Sequence, residues 1–422
     1  MSRTRRSLAL RAASNHVVLA LALVPCLLLG TTSAQNYQND INATAAWLAT
    51  QSANLSDTGV TLSDGAVRTA FASQIINPYF ANLAVHGFVK NSAYYANVKN
   101  YMEWYWNHVS WPRHFNIDGC TVNPSSGDLY GAINDFNVTN TNPPHTGTAF
   151  ADPDASGHHP DSTDSYAATF LSLAWDYWQT GDANARNYIR LITTGANGDR
   201  LDYVGEVVVA TLQSNNLTCA RPDFNIEYVE DNSEAYRGLQ DLVNLYSAIS
   251  ATDHVDLSNQ LNFYRPKANA IQDAIANKAL WNSSNNTFFT YTTVAGVSGT
   301  VDWSAWYAEP DGSPLGAVSE IFPIALGVIS PTSQKAQDIW GTFQSHWKNQ
   351  WVALNADPGG FPWALVGYTA ALMGDTQDAS TYVQNMETQF VNTGFTGCTS
   401  SVCKNWSVNE AGYFIRLCAL LK

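Results

Sequence analysis

Apolar residues return at three- and four-residue intervals along most of this chain, the spacing that gathers them on one face of an α-helix. The stripes predict helices over Val67–Val85, Ser92–His108, Asp164–Thr180, Ala183–Thr193, Ser233–Ser250 and Leu257–Asn277. They continue over Gly316–Ile329, Ser333–Trp347, Pro362–Met373, Asp378–Val391 and Asn409–Leu421. Tyr166, Phe170, Leu173 and Tyr177 form one stripe; Tyr236, Leu239, Val243 and Tyr246 form another. An initial helix near Asp40–Gln51 makes about twelve.

These helices come in pairs, an apolar one followed by a more polar one across a short turn. The turns Thr180–Asp182 (TGD) and Met373–Asp375 (MGD) are near copies. Paired helices at this length predict an all-α fold, an (α/α)6 toroid of six helical hairpins. An open α-solenoid is the alternative, but the pairs are unevenly spaced and long loops interrupt them. Those loops are Pro112–Pro160, Leu280–Ser313 and Asn355–Trp363. Each precedes the first helix of a pair, so in a ring all three crowd the rim where the inner helices begin. Loops of this length are commonly functional. No linker divides the chain, and residues 35–422 read as one domain.

The N-terminus changes the picture. Arg3, Arg5, Arg6 and Arg11 precede an apolar run from Val17 to Leu29 and a small-residue site ending at Ala34. This is the pattern of a cleaved secretory signal peptide over 1–34, too short and wrongly flanked for a membrane span. A secreted, extracellular protein is expected, with no membrane partner. Cleavage after Ala34 removes four arginines and no acids, taking the net charge from −14 to −18. Such acidity disfavours nucleic acid. Asn42, Asn54, Asn137, Asn216, Asn282, Asn285 and Asn405 each open an N-x-S/T sequon, consistent with a glycoprotein. Cys398 and Cys403 are spaced for a small-loop disulfide, Cys120 and Cys219 for a second, and Cys418 lies in an apolar helix as a free thiol. No Cys/His cluster has zinc spacing; His158 and His159 read as solvated loop residues, so no metal or cofactor is expected.

Candidate chemistry sits at the predicted helix starts. Asp161 and Asp164, in PDSTDSYA, have capping-box spacing, with Asp161 placed as the cap. Asp231 and Glu234, in VEDNSEAYRG, repeat it. A single carboxylate there is explained by the free N–H groups of a helix N-terminus. Capping does not need three acids within five residues, and Glu230, Asp231 and Glu234 are three. Converging carboxylates raise one another's pKa, which keeps one protonated while another remains a base. Two of them across a glycosidic bond are the minimum for its hydrolysis. Aromatics are 12% of the chain against 13% charged residues. Tyr166, Trp303, Trp306, Trp363 and Trp406 are the candidate sugar platforms. Glu410 stands three residues beyond Ser407, again at capping-box spacing, and is a further cleft candidate.

The stretches DSTDSYAATFLSLAWDYWQTGD, EDNSEAYRGLQDL, INPYFANLAVHGF and DLYGAINDF resemble the six-hairpin glycosidase superfamily, in particular secreted members with a D-S-T-D-S-Y-A inner helix. The resemblance covers about Ile76 to Tyr413. It implies an (α/α)6 toroid with its cleft on the rim where inner helices begin, and an oligo- or polysaccharide as substrate. Members include inverting hydrolases, lyases and epimerases, so the fold leaves the reaction open. The expected catalytic pair is Asp164 with Glu234, with Asp161 and Asp231 capping, tuning or binding hydroxyls, in a glycoside hydrolase acting as a monomer. The alternatives are a lyase or epimerase, which needs a Tyr or His base and a cation to neutralise a uronate, with Arg237, Arg113, His114 and His145 as the candidates, and a non-catalytic carbohydrate-binding protein.

Overall fold

The computed structural model describes residues 36–52, 60–70, 73, 75–109, 131–138, 148–149, 162–195, 198, 200–221, 225–307, 316–395 and 406–422. All belong to the compact unit Asn36–Lys422. The expected signal peptide, Arg113, His114, His145, Asp161, His158, His159, Cys120, Cys398 and Cys403 lie outside the described residues.

Thirteen α-helices are formed among these residues. In chain order they are α1 Tyr37–Leu48, α2 Pro78–Phe88, α3 Tyr95–Asn107, α4 Thr163–Gln179, α5 Ala183–Thr193, α6 Arg200–Ala210 and α7 Val229–Asp253. They continue as α8 Ser258–Asn277, α9 Phe322–Ala325, α10 Gln334–Val352, α11 Ala364–Leu372, α12 Thr376–Met386 and α13 Val408–Leu421. The packing closes on itself: α2 lies against α4, α4 against α7, α7 against α9, α9 against α11, α11 against α13, and α13 against α2. These six are the inner ring. The outer partners are α3 on α2, α5 and α6 on α4, α8 on α7, α12 on α11, and α1 on α13. Helix α10 backs the 3-10 segment Ala317–Ile321 that leads into α9. The fold is the (α/α)6 toroid, and its last hairpin pairs α13 with α1.

Two glycines permit the ring to close. A Cβ at Gly412 of α13 would overlap the Leu83 carbonyl oxygen of α2. A Cβ at Gly238 of α7 would lie 2.5 Å from Ala168 of α4. These are backbone contacts that no rotamer change relieves.

Several expected boundaries are corrected. The stretch predicted as Val67–Val85 is helical only from Pro78, because Val67 bridges Thr61 and Ile75–Ile76 forms a strand. Asn77 caps α2, accepting from Phe80 N, with Pro78 at the first helical position. Helix α7 starts at Val229, four residues before the expected Ser233. Helix α6 carries Leu201, Val204, Val207 and Val208 inward and is absent from the predicted set. The Leu280–Ser313 stretch, expected as a loop, contains strands. Thr287–Thr293 pairs antiparallel with Ile226–Tyr228, Trp281–Asn282 and Gly299–Thr300. Its alternating burial and its Thr/Phe/Tyr composition are those of a half-buried strand. The strand Ile226–Tyr228 leads straight into α7 and fixes where its acidic first turn begins.

Candidate active site

The first turns of the inner helices surround one cavity of about 460 Å³. Helix α7 brings Glu230, Asp231 and Glu234 to it; α2 brings Tyr79, α4 Tyr166, and α13 Glu410 and Tyr413. Trp363, Phe361 and Tyr307 supply aromatic wall.

Glu234 is 3% exposed. Its Oε1 accepts a hydrogen bond from the Tyr79 hydroxyl at 2.7 Å. Burial pushes its carboxyl up to about 8, and the Glu230 and Asp164 charges add to this against the Tyr79 bond. Glu230, one turn earlier and 8% exposed, accepts from the Tyr307 hydroxyl through Oε2 at 3.3 Å. Its Oε1 is buried without a hydrogen-bond partner. Burial raises Glu230 to about 7. Tyr79 belongs to α2 and Tyr307 to the stretch before α9, so the two glutamates, neighbours on one face of α7, are anchored by different elements. Asp231 lines the cavity between them in sequence.

Asp164 is placed differently. It is fully buried and does not line the cavity. One carboxylate oxygen accepts from Ser165 N at 2.9 Å and Ser162 Oγ at 3.2 Å, the other from Thr218 Oγ1 at 2.5 Å. Asn232 accepts from Thr218 N and Oγ1, so the cluster ties the starts of α4 and α7 to the 218 loop. Asp164 has the geometry of a clamp between elements. The α4 cap position is Ser162, one residue after the expected Asp161.

Glu410 sits in the first turn of α13, yet it forms no capping box with Ser407. Its Oε2 instead accepts from Ala364 N at 2.5 Å and so caps the neighbouring helix α11. Burial, with the Asp357 charge, raises it to about 8. In the ring order α13 stands opposite α7, so Glu410 faces the α7 acids across the cavity.

The tryptophans divide. Trp363 lines the cavity in a left-handed conformation with φ +56°, anchored by Nε1 to Asp357 Oδ2 at 2.6 Å and packed 4.9 Å from the Tyr307 ring. Trp306 is buried behind it against Phe343 and Trp347. Trp303 lies over His346 of α10, away from the cavity. Trp406 is core, enclosed by Trp47, Phe390 and Phe395. Arg237 points to a second cavity and pairs with Asp241 at 2.7 Å. Tyr166 lines the first, its hydroxyl donating to Asp135 at 2.8 Å and accepting from Asn77.

Tyr79, Tyr307 and Tyr413 were not among the sequence candidates. Tyr79 was legible in principle: Asn-Pro-Tyr is a cap, a first position and a second position, which puts Tyr79 on the rim. Cys219 is disulfide-bonded and Cys418 is a buried free thiol.

No family model matches this chain, and no curated protein matches it by sequence. Solved structures match by shape. A glycosidase carrying a glutamate-to-alanine substitution superposes with a TM-score of 0.54 at 13% identity, covering 91% of this chain and 96% of the other. A D-mannose isomerase gives 0.52 at 12%, covering 91% and 96%. A rhamnosidase from Klebsiella oxytoca with rhamnose bound gives 0.50 at 12%, covering 92% of this chain and 64% of that one. At these identities the likeness establishes the shared toroid fold.

Proposed function

We propose that the protein is a secreted glycoside hydrolase in which Glu234 is the general acid and Glu230 the general base. The observation that carries this is the pair itself. Two cavity-lining glutamates on successive turns of α7 have different anchors, Tyr79 and Tyr307, and the one with the higher proton affinity is the deeper.

Glu234, pushed up to about 8, holds a proton at neutral pH for the glycosidic oxygen. Glu230, at about 7, is the base that accepts a proton from water, and its Oε2 carries only the long bond from Tyr307. The water oxygen attacks the anomeric carbon as the leaving oxygen takes the proton from Glu234. One turnover leaves Glu234 ionised and Glu230 protonated, and exchange with solvent resets both. Attack from the face opposite the leaving group inverts the anomeric centre. That outcome requires the carboxyl groups about 6.5–9.5 Å apart, against about 5–5.5 Å for retention. Trp363 and Tyr307 offer ring faces to the C–H face of a sugar, and Glu410 accepts hydroxyls from across the cavity.

This assignment keeps Glu234 from the expected pair and replaces Asp164, whose oxygens are already engaged. The signal pattern over residues 1–34 supports secretion. The test is a panel of neutral glycans and aryl glycosides with the wild type, Glu234→Gln and Glu230→Gln. Hydrolysis lost in both variants supports the reading. Interconversion of free aldoses without glycan cleavage moves the site to isomerase chemistry.

A further inference from the structure

A second cavity, of about 260 Å³, lies on the ring axis among the later turns of the inner helices. Leu83, Glu234 and Tyr413 line both cavities, so they form the wall between them. The rim chemistry leaves the rest of this second lining unused.

Its polar groups are only half satisfied. Arg237 and Asp241 pair through Nε and Oδ2. Asp241 is 1% exposed, yet its Oδ1 is buried with no hydrogen-bond partner. The Ser172 hydroxyl of the same lining stands near this carboxylate without completing a bond to Oδ1. A buried carboxylate oxygen left in that state is costly and calls for a donor. Beside it, the pair uses only Nε of Arg237, whose side chain is 40% exposed, so its Nη donors are open to a ligand or to solvent. Arg416 of α13 lies over the rings of Tyr368 and Tyr413, at 4.7 and 4.9 Å. Its hydrogen bond to the Tyr368 hydroxyl is long, at 3.5 Å, and among the described residues it makes no carboxylate ion pair. Lys90 adds a further cation, while Leu83 and Leu326 give the lining an apolar side.

We propose that this axial cavity is a second binding site, for one neutral monosaccharide. An acceptor and a guanidinium side by side fit vicinal hydroxyls: one donates to Asp241 Oδ1 and its neighbour accepts from Arg237 or Arg416. The apolar side meets the C–H face of the ring. A simple anion satisfies the guanidinium groups but is repelled by Asp241 and Asp176, and it offers Oδ1 no donor. The volume is below the range of about 300–1,000 Å³ usual for drug-sized ligands, which suits a single sugar ring. The site stands whether or not the rim cavity hydrolyses glycans.

The test is calorimetric titration of the full chain with D-glucose, D-mannose, D-galactose and L-rhamnose in turn, with acetate and phosphate as anion controls. At least one sugar is expected to bind with an affinity that survives Glu230→Gln and Trp363→Ala. That affinity is expected to fall about tenfold or more in Asp241→Ala and Arg416→Met, the loss of one charge-assisted hydrogen bond. Lys90→Ala changes an exposed residue of the lining, reads the site without disturbing the core, and is expected to weaken binding severalfold. Three results would overturn the site: no sugar binds, only the anions bind, or sugar binding is untouched by all three axial variants. Loss of glycan hydrolysis bears only on the rim reading.

Discussion

The Tyr79 hydroxyl of α2 donates to Oε1 of Glu234 on α7 at 2.7 Å, so the first turn of α2 meets the second turn of α7 across the start of α4. The bond occupies one carboxyl oxygen and leaves the other to carry the proton. It also favours the charged form of Glu234, opposing the burial that raises it. Tyr79→Phe removes that opposition. The basic limb of the kcat/KM profile is expected to move to higher pH, with kcat lower because the acid gives up its proton less readily. An unshifted limb with a normal rate means that Glu234 does not titrate in catalysis.

The wild-type profile follows from the same two groups. Activity rises as Glu230 ionises near pH 7 and falls as Glu234 loses its proton near pH 8. A narrow bell between these limits is expected. A profile flat from about pH 5 to about pH 10, roughly two units either side of the bell, contradicts the assignment.

Glu320 gives a stability prediction free of catalysis. It is fully buried on the 3-10 segment, and both oxygens accept from Phe288 N at 3.0 Å. Burial raises it to about 8, above the unfolded value of about 4.3. The folded state therefore binds the proton more tightly. The stabilisation is complete below the unfolded value and is lost as pH rises through about 8. Glu320→Gln keeps an acceptor and cannot ionise. Thermal melts should show it gaining on the wild type at pH 8 far more than at pH 5, and equal differences at both would refute the buried acid.

Ring closure depends on the glycine contacts. Gly412→Ala should destabilise by about 1–3 kcal/mol in denaturant melts, despite the better helix propensity of alanine, because its Cβ meets the Leu83 carbonyl. Gly341→Ala, where a Cβ meets nothing within 4 Å, is the control and should be neutral or stabilising. Similar behaviour of the two variants would contradict the tight α2–α13 seam.

Among the sequons whose side chains are described, Asn42, Asn216 and Asn285 are exposed, while the Asn282 side chain is buried and bonded to Ser284 N. Peptide mapping of protein secreted from a eukaryotic host should find glycan on the exposed sites Asn42, Asn216 and Asn285 and none on Asn282.

Much of the ring was legible because helices that bury one face keep their period; the outer helix α5 has the bounds its stripe predicts. The sheet was not, because short strands give too few alternations to outweigh a loop reading. The site was legible as a set of helix starts but not as a pair. Asp164 and Glu234 occupy the same slot in their acid-x-x-acid motifs, yet α4 begins one residue before Asp164 and α7 five before Glu234. That difference sends one carboxylate into the 218 loop and the other into the cavity. Trp363 and Trp406 likewise both precede inner helices, and only tertiary packing sends one to the cavity and the other into the core.

The most direct test of the central claim is proton NMR of the first product formed from a cleaved glycoside, run with wild type, Glu230→Gln and Glu234→Gln. An acid–base pair of Glu234 and Glu230 gives the inverted anomer from the wild type and a fall of about 10²–10⁴-fold in each variant. A retained anomer, or full activity in either variant, would contradict it.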